Sequence, residues 1–137
     1  MKKVFILLLV IPLLSFQNSQ IPKEFIGSWK GEDKGEVGSI IFDANGYATF
    51  VIDGQKIGGK EFVLSGKKGN MTYTINSKVS PVQIDFKITK LESGESKRIL
   101  AIAEFVDNNT LKVAINLDKD RPINFEGDNA IILKRVD

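Results

Sequence analysis

From Ile21 onward, apolar and polar positions alternate over short runs, and small turn-forming residues interrupt those runs roughly every eight to twelve positions. The cleanest period-two segments are 71–75, 82–89 and 111–117, rich in β-branched and aromatic residues. Looser runs lie at 37–42, 47–52, 56–64, 99–106 and 131–136. Between them sit Gly, Asn, Asp and Ser clusters at 33–35, 43–46, 53–54, 65–70, 92–95, 107–109, 118–120 and 127–129, residue types that accept positive φ or close an Asx-turn. No segment after Ile21 carries a helical period, although Pro22 would suit the first position of one short turn over 22–26.

This pattern predicts an all-β protein: an antiparallel up-and-down barrel of about eight strands, closed because so many short strands otherwise leave aggregation-prone edges. Phe42, Tyr73, Ile84, Phe86, Ile88, Val113, Ile115 and Leu133 are expected to point inwards. A two-sheet sandwich is the alternative, weakened by the absence of a cysteine pair and by the run of short turns.

The first residues read differently. Lys2 and Lys3 precede an unbroken apolar stretch over 4–14, followed by polar Ser15, Gln17, Asn18, Ser19 and Gln20. This is the layout of a secretory signal peptide, and the apolar run is far shorter than the ~20 residues of a membrane-spanning helix. The expected organisation is therefore a leader over 1–20 and one domain over 21–137, secreted or periplasmic, with no membrane span and no N-terminal cysteine to carry a lipid.

Removing Lys2 and Lys3 from the 19 basic residues leaves as many as the 17 acidic ones. A neutral domain has no bulk field for a phosphate backbone, so nucleic acid is not an expected partner. With neither cysteine nor histidine in the chain, disulfides, thiolate chemistry, Ser-His-Asp arrangements and the usual zinc sites are excluded. The remaining carboxylate pairs, Glu32-Asp33, Glu92 with Glu95 and Asp118 with Asp120, fall in turn-like polar stretches, where solvated surface is the simpler reading. No catalytic residue, metal site or cofactor is expected.

Two constellations are more informative. Gly27-Ser28-Trp29 near the start of the domain, together with Arg135 in the last predicted strand, resembles the lipocalin and calycin pattern, in which a G-x-W tryptophan at the closed end of a barrel is covered by an arginine from the final strand. Further on, Pro81-Val82-Gln83-Ile84-Asp85-Phe86, then Glu104 with Thr110-Leu111-Lys112-Val113, then Arg121-Pro122-Ile123-Asn124-Phe125 and Leu133-Lys134-Arg135 resemble a family of small bacterial lipocalin-like domains of unknown function. The chain departs from that family at Ala101 or Ile102, where glycine is common, and at Ala114, where cysteine often stands.

The resemblance implies that Gly27, Trp29 and Arg135 close the barrel; a register one residue off would put Lys134 over the indole instead. Asp85, on the polar face of its strand, and Arg121 could form a structural ion pair. The expected function is non-catalytic binding of a small hydrophobic molecule inside the barrel, around Tyr73, Phe86, Ile115 and Phe125. The alternative is a barrel filled by its own side chains that acts through its surface as a structural or interaction domain.

Overall fold

The structure, a computed structural model, describes residues 21–31, 37–117 and 120–136; the leader expected over 1–20 lies outside the described residues. A 3-10 turn at Lys23–Phe25 leads into nine strands: β1 (Gly27–Gly31), β2 (Ser39–Phe42), β3 (Ala48–Ile52), β4 (Gln55–Leu64), β5 (Lys67–Asn76), β6 (Val82–Lys90), β7 (Ser96–Asp107), β8 (Thr110–Asn116) and β9 (Ala130–Val136). They form a closed barrel in chain order, β9 returning to β1, and every neighbouring pair is antiparallel.

Alternation sorts the side chains. Trp29, Ile40, Phe42, Ala48, Phe50, Met71, Tyr73, Ile84, Phe86, Ala101, Ala103, Leu111, Val113 and Leu133 are buried in one interior cluster, while the residues between them face outwards. Of the residues expected inside, Ile88 alone is only half-buried, at the rim of that cluster. The expected turn over 65–70 is shorter than its composition suggests. Only Ser65 and Gly66 turn, with φ of 53° and 79°, and Lys67 already belongs to β5. Two residues with positive φ make a type I′ hairpin, whose twist matches the strands it joins.

Nine straight strands cannot close with every neighbour antiparallel, because directions that alternate around a ring require an even number. The exception is β4. Its first part pairs with β3 (Thr49 opposite Gly58) and its second with β5 (Gly59 opposite Met71, Phe62 opposite Gly69), with a register irregularity between Gly59 and Phe62. Where β4 changes partner, β3 meets β5 directly through an antiparallel bridge between Tyr47 and Thr72, reinforced by the Tyr73 N–H donating to the Gly46 carbonyl at 3.0 Å. The ring thus runs from β3 to β5, and β4 folds around a corner beside it.

Gly58 makes the corner. Its φ is +132°, and a Cβ there would lie 2.3 Å from the Ala48 carbonyl oxygen and 2.8 Å from the Thr49 Cα. Both obstacles are backbone, so they cannot swing aside. Gly58→Ala is expected to cost roughly 3 kcal/mol or more. At Gly54, where φ is +80° and a Cβ would meet nothing within 4 Å, alanine should cost only about 1 kcal/mol. Urea unfolding followed by the fluorescence of Trp29 measures both.

Candidate functional site

One end of the barrel is sealed around Trp29. Its indole N–H donates to the Phe25 carbonyl at 2.9 Å, which fixes the 3-10 turn across the opening. Phe25 and Phe105 pack beside it, with ring centroids 4.8 Å apart. Arg135 lies directly opposite Trp29 in the β1–β9 register, and its guanidinium stands 4.3 Å from the indole ring centre. The same guanidinium donates to the carbonyls of Glu24, Ile26 and Asn108 and to the Asn109 side chain at 2.9–3.3 Å. It therefore ties the incoming chain, the β7–β8 turn and the last strand together. Lys134 faces the other way and donates to the Thr110 hydroxyl. The turn that receives Arg135 is itself held by Asp107, whose carboxylate accepts the Asn109 N–H at 2.9 Å; that bond and one from the Thr110 side chain hold the carboxyl below its usual pKa.

The interior offers little room. Phe42 packs on Tyr73 (centroids 4.9 Å) and on Phe86 (6.0 Å), and Phe86 packs on Phe50 (4.8 Å). The Tyr73 hydroxyl donates to the Asp43 carbonyl at 2.8 Å, and burial pushes its pKa from 10.0 to about 12. At the opposite end, Ile115 lines a space of about 30 Å³ with Val37, Leu117, Asn129 and Ile131, room for about one water. Of the four residues named for a ligand, Tyr73 and Phe86 are thus packed against core rings and Ile115 lies at the far rim. Phe125 is not inside at all. It belongs to the β8–β9 connection, which crosses the outer face, and its ring lies 5.0 Å from the ammonium of outward-facing Lys112. The apolar count of the sequence could not separate a residue covering the barrel from one filling it.

Asp85 and Arg121 come together on that outer face. The guanidinium donates to the carboxylate at 2.7 Å and to the Ala101 carbonyl at 3.0 Å, while Arg98 approaches the other carboxylate oxygen at 3.7 Å. Both partners of the short pair are largely buried, and Pro122 beside it is buried. Ile102 and Ala114, which are paired across β7 and β8, are buried without joining the interior cluster. Arg121 thus pins the β8–β9 connection across the wall of the barrel, a structural use of the charge.

A concave groove of about 280 Å³ opens where β4, β5 and β6 extend past the filled section, lined by Phe62, Leu64, Lys67, Gly69, Ile88 and Lys90 among others. Phe62, Gly69 and Lys90 are register partners on the face that carries Met71 and Tyr73 deeper in. Sequence reading took 56–64 for an ordinary strand and passed over this groove. The signal was Gly58-Gly59 inside the run, since glycine within a strand marks a bend or bulge. Among the described residues no group of three His, Cys, Asp or Glu side chains could hold a metal ion, and no helix is long and apolar enough to cross a membrane. No family model, curated protein or solved structure matches the chain.

Two measurements check these assignments. Arg135→Ala should cost about 2–3 kcal/mol, the stacking on Trp29 and the charged hydrogen bonds being lost together, and Arg135→Lys should recover less than half because an ammonium lacks the planar fork. Tyr73 is protonated more readily folded than unfolded, so its contribution is fully present below pH 10 and is lost as pH rises towards about 12. Urea unfolding at pH 9 and pH 12 should show that Tyr73→Phe has the flatter alkaline profile of the two proteins.

Proposed function

We propose that the protein is a non-catalytic lipocalin-like barrel that works by binding through its surface, its interior being occupied by its own side chains. One observation carries this reading: the rings of Phe42, Phe50, Tyr73 and Phe86 pack on one another across the middle of the barrel, where a small hydrophobic ligand would have to sit. A drug-sized ligand occupies a cavity of about 300–1,000 Å³. The space beside Ile115, at the rim, is about 30 Å³. Export from the cytoplasm rests on the leader-like pattern of residues 1–20 and is part of the same proposal.

Native mass spectrometry of the purified protein, with melting curves across a panel of fatty acids, retinoids and sterols, tests the reading. The expected result is a ligand-free mass, no rise in melting temperature above about 1 °C, and a loss of about 3–5 kcal/mol in Phe86→Ala, as for a ring removed from a close-packed core. A copurifying small molecule whose binding shifts the Phe42, Phe50 and Phe86 ring signals would restore the interior as the binding site.

A further inference from the structure

The corner in β4 leaves part of that strand with one partner only. Over 60–64 it pairs with β5 alone, its partnership with β3 having ended at Gly58, and among the described residues no strand lies on its other side. In the type I′ hairpin, Leu64 and Lys67 exchange hydrogen bonds, so by alternation Phe62 and Gly69 do too. The Val63 N–H and C=O and the Glu61 C=O then aim at the open edge, while the Glu61 N–H lies within the register irregularity.

Beyond the register irregularity at its start, little protects this edge. Its five residues include neither proline nor glycine, and Lys60 is its one cation. The side chains around it are apolar and accessible: Val63 is 58% exposed, Leu64 43%, and Leu91 in the neighbouring turn 45%. Phe62 and Leu64 face the 280 Å³ groove, with Ile88 on its opposite wall.

Charge selects the occupant. Lys68 is matched by Glu61 at 3.6 Å and Lys90 by Glu95 at 3.5 Å, whereas Lys60 and Lys67 have no ion-pair partner among the described residues. A second copy would bring the same two cations to the same edge. An acidic segment would complement them.

We propose that the edge of β4 over 60–64 is a docking site for an extended segment of another protein, alternating acidic and apolar residues, which adds to the sheet as a further strand. The Val63 N–H and C=O and the Glu61 C=O supply the hydrogen bonds, the groove takes the apolar side chains, and Lys60 and Lys67 meet the carboxylates. The inference rests on the surface-binding reading and names its partner.

The test uses the isotope-labelled protein and a twelve-residue peptide of alternating Glu and Val, with two controls: alternating Lys and Val, and the Glu/Val peptide N-methylated at every second residue. The Glu/Val peptide should slow amide exchange at Val63 at least tenfold. The Lys/Val peptide should bind at least tenfold more weakly, and the N-methylated one should give no protection. Val63→Pro removes an N–H that β5 does not use and should abolish binding with Trp29 emission unchanged. Should that variant not fold, Lys67→Glu should weaken binding at least threefold.

No protection at millimolar Glu/Val peptide, equal binding of the Lys/Val peptide, or protection at Val63 without peptide in a concentration-dependent dimer would each overturn the proposal. A peptide that instead perturbs the Phe42, Phe50 and Phe86 rings would overturn the surface-binding reading as well, so the two failures are distinguishable.

Discussion

A ring of straight antiparallel strands closes only with an even number of members, and this chain closes with nine because one of them turns a corner. That corner exists where β4 passes beneath the Ala48 carbonyl, an approach that leaves no room for a Cβ at Gly58. Its consequences run through the molecule. It lets Tyr47 and Thr72 join β3 to β5, so the ladder stays continuous around the core. It also swings the far part of β4 out of the ring, so a strand none of whose side chains is fully buried ends with an unpaired edge.

The two ends of the barrel are finished differently. At the Trp29 end, Arg135 draws four polar groups from two other segments onto one guanidinium while stacking on the indole, and the opening is shut. The middle is packed with aromatic rings, and the outer wall over Ile102 and Ala114 is buried as the pinned β8–β9 connection crosses it. At the opposite end, where β4, β5 and β6 flare, accessible Val63, Leu64 and Leu91 stand beside a groove with polar groups along it. The proposed docking surface lies on that flare.

Much of the architecture was legible because strand alternation and turn chemistry are local. Segments 71–75, 82–89 and 111–117 each place every second residue inside, whereas the choice between Arg135 and Lys134 over Trp29 was open in the sequence, because it turns on the register of the last strand against the first. Local pattern fails where the answer depends on the third dimension. Phe125 is apolar for the sake of the outside wall, and nothing in its neighbours distinguishes that from the core. The corner in β4 is a parity requirement of the whole ring, visible in the chain only as two adjacent glycines. The groove was missed for the same reason, since Phe62, Gly69 and Lys90 become neighbours only when three strands are in register.

The most direct measurement is the set of backbone nuclear Overhauser contacts around the corner in the isotope-labelled protein. The account predicts cross-strand contacts between Tyr47 and Thr72, between Thr49 and Gly58 and between Gly59 and Met71 in the same sample, with none from residues 60–64 to β3. Continuous contacts from β4 to β3 beyond Gly58, with Tyr47 and Thr72 apart, would contradict it and remove both the closed ring and its open edge.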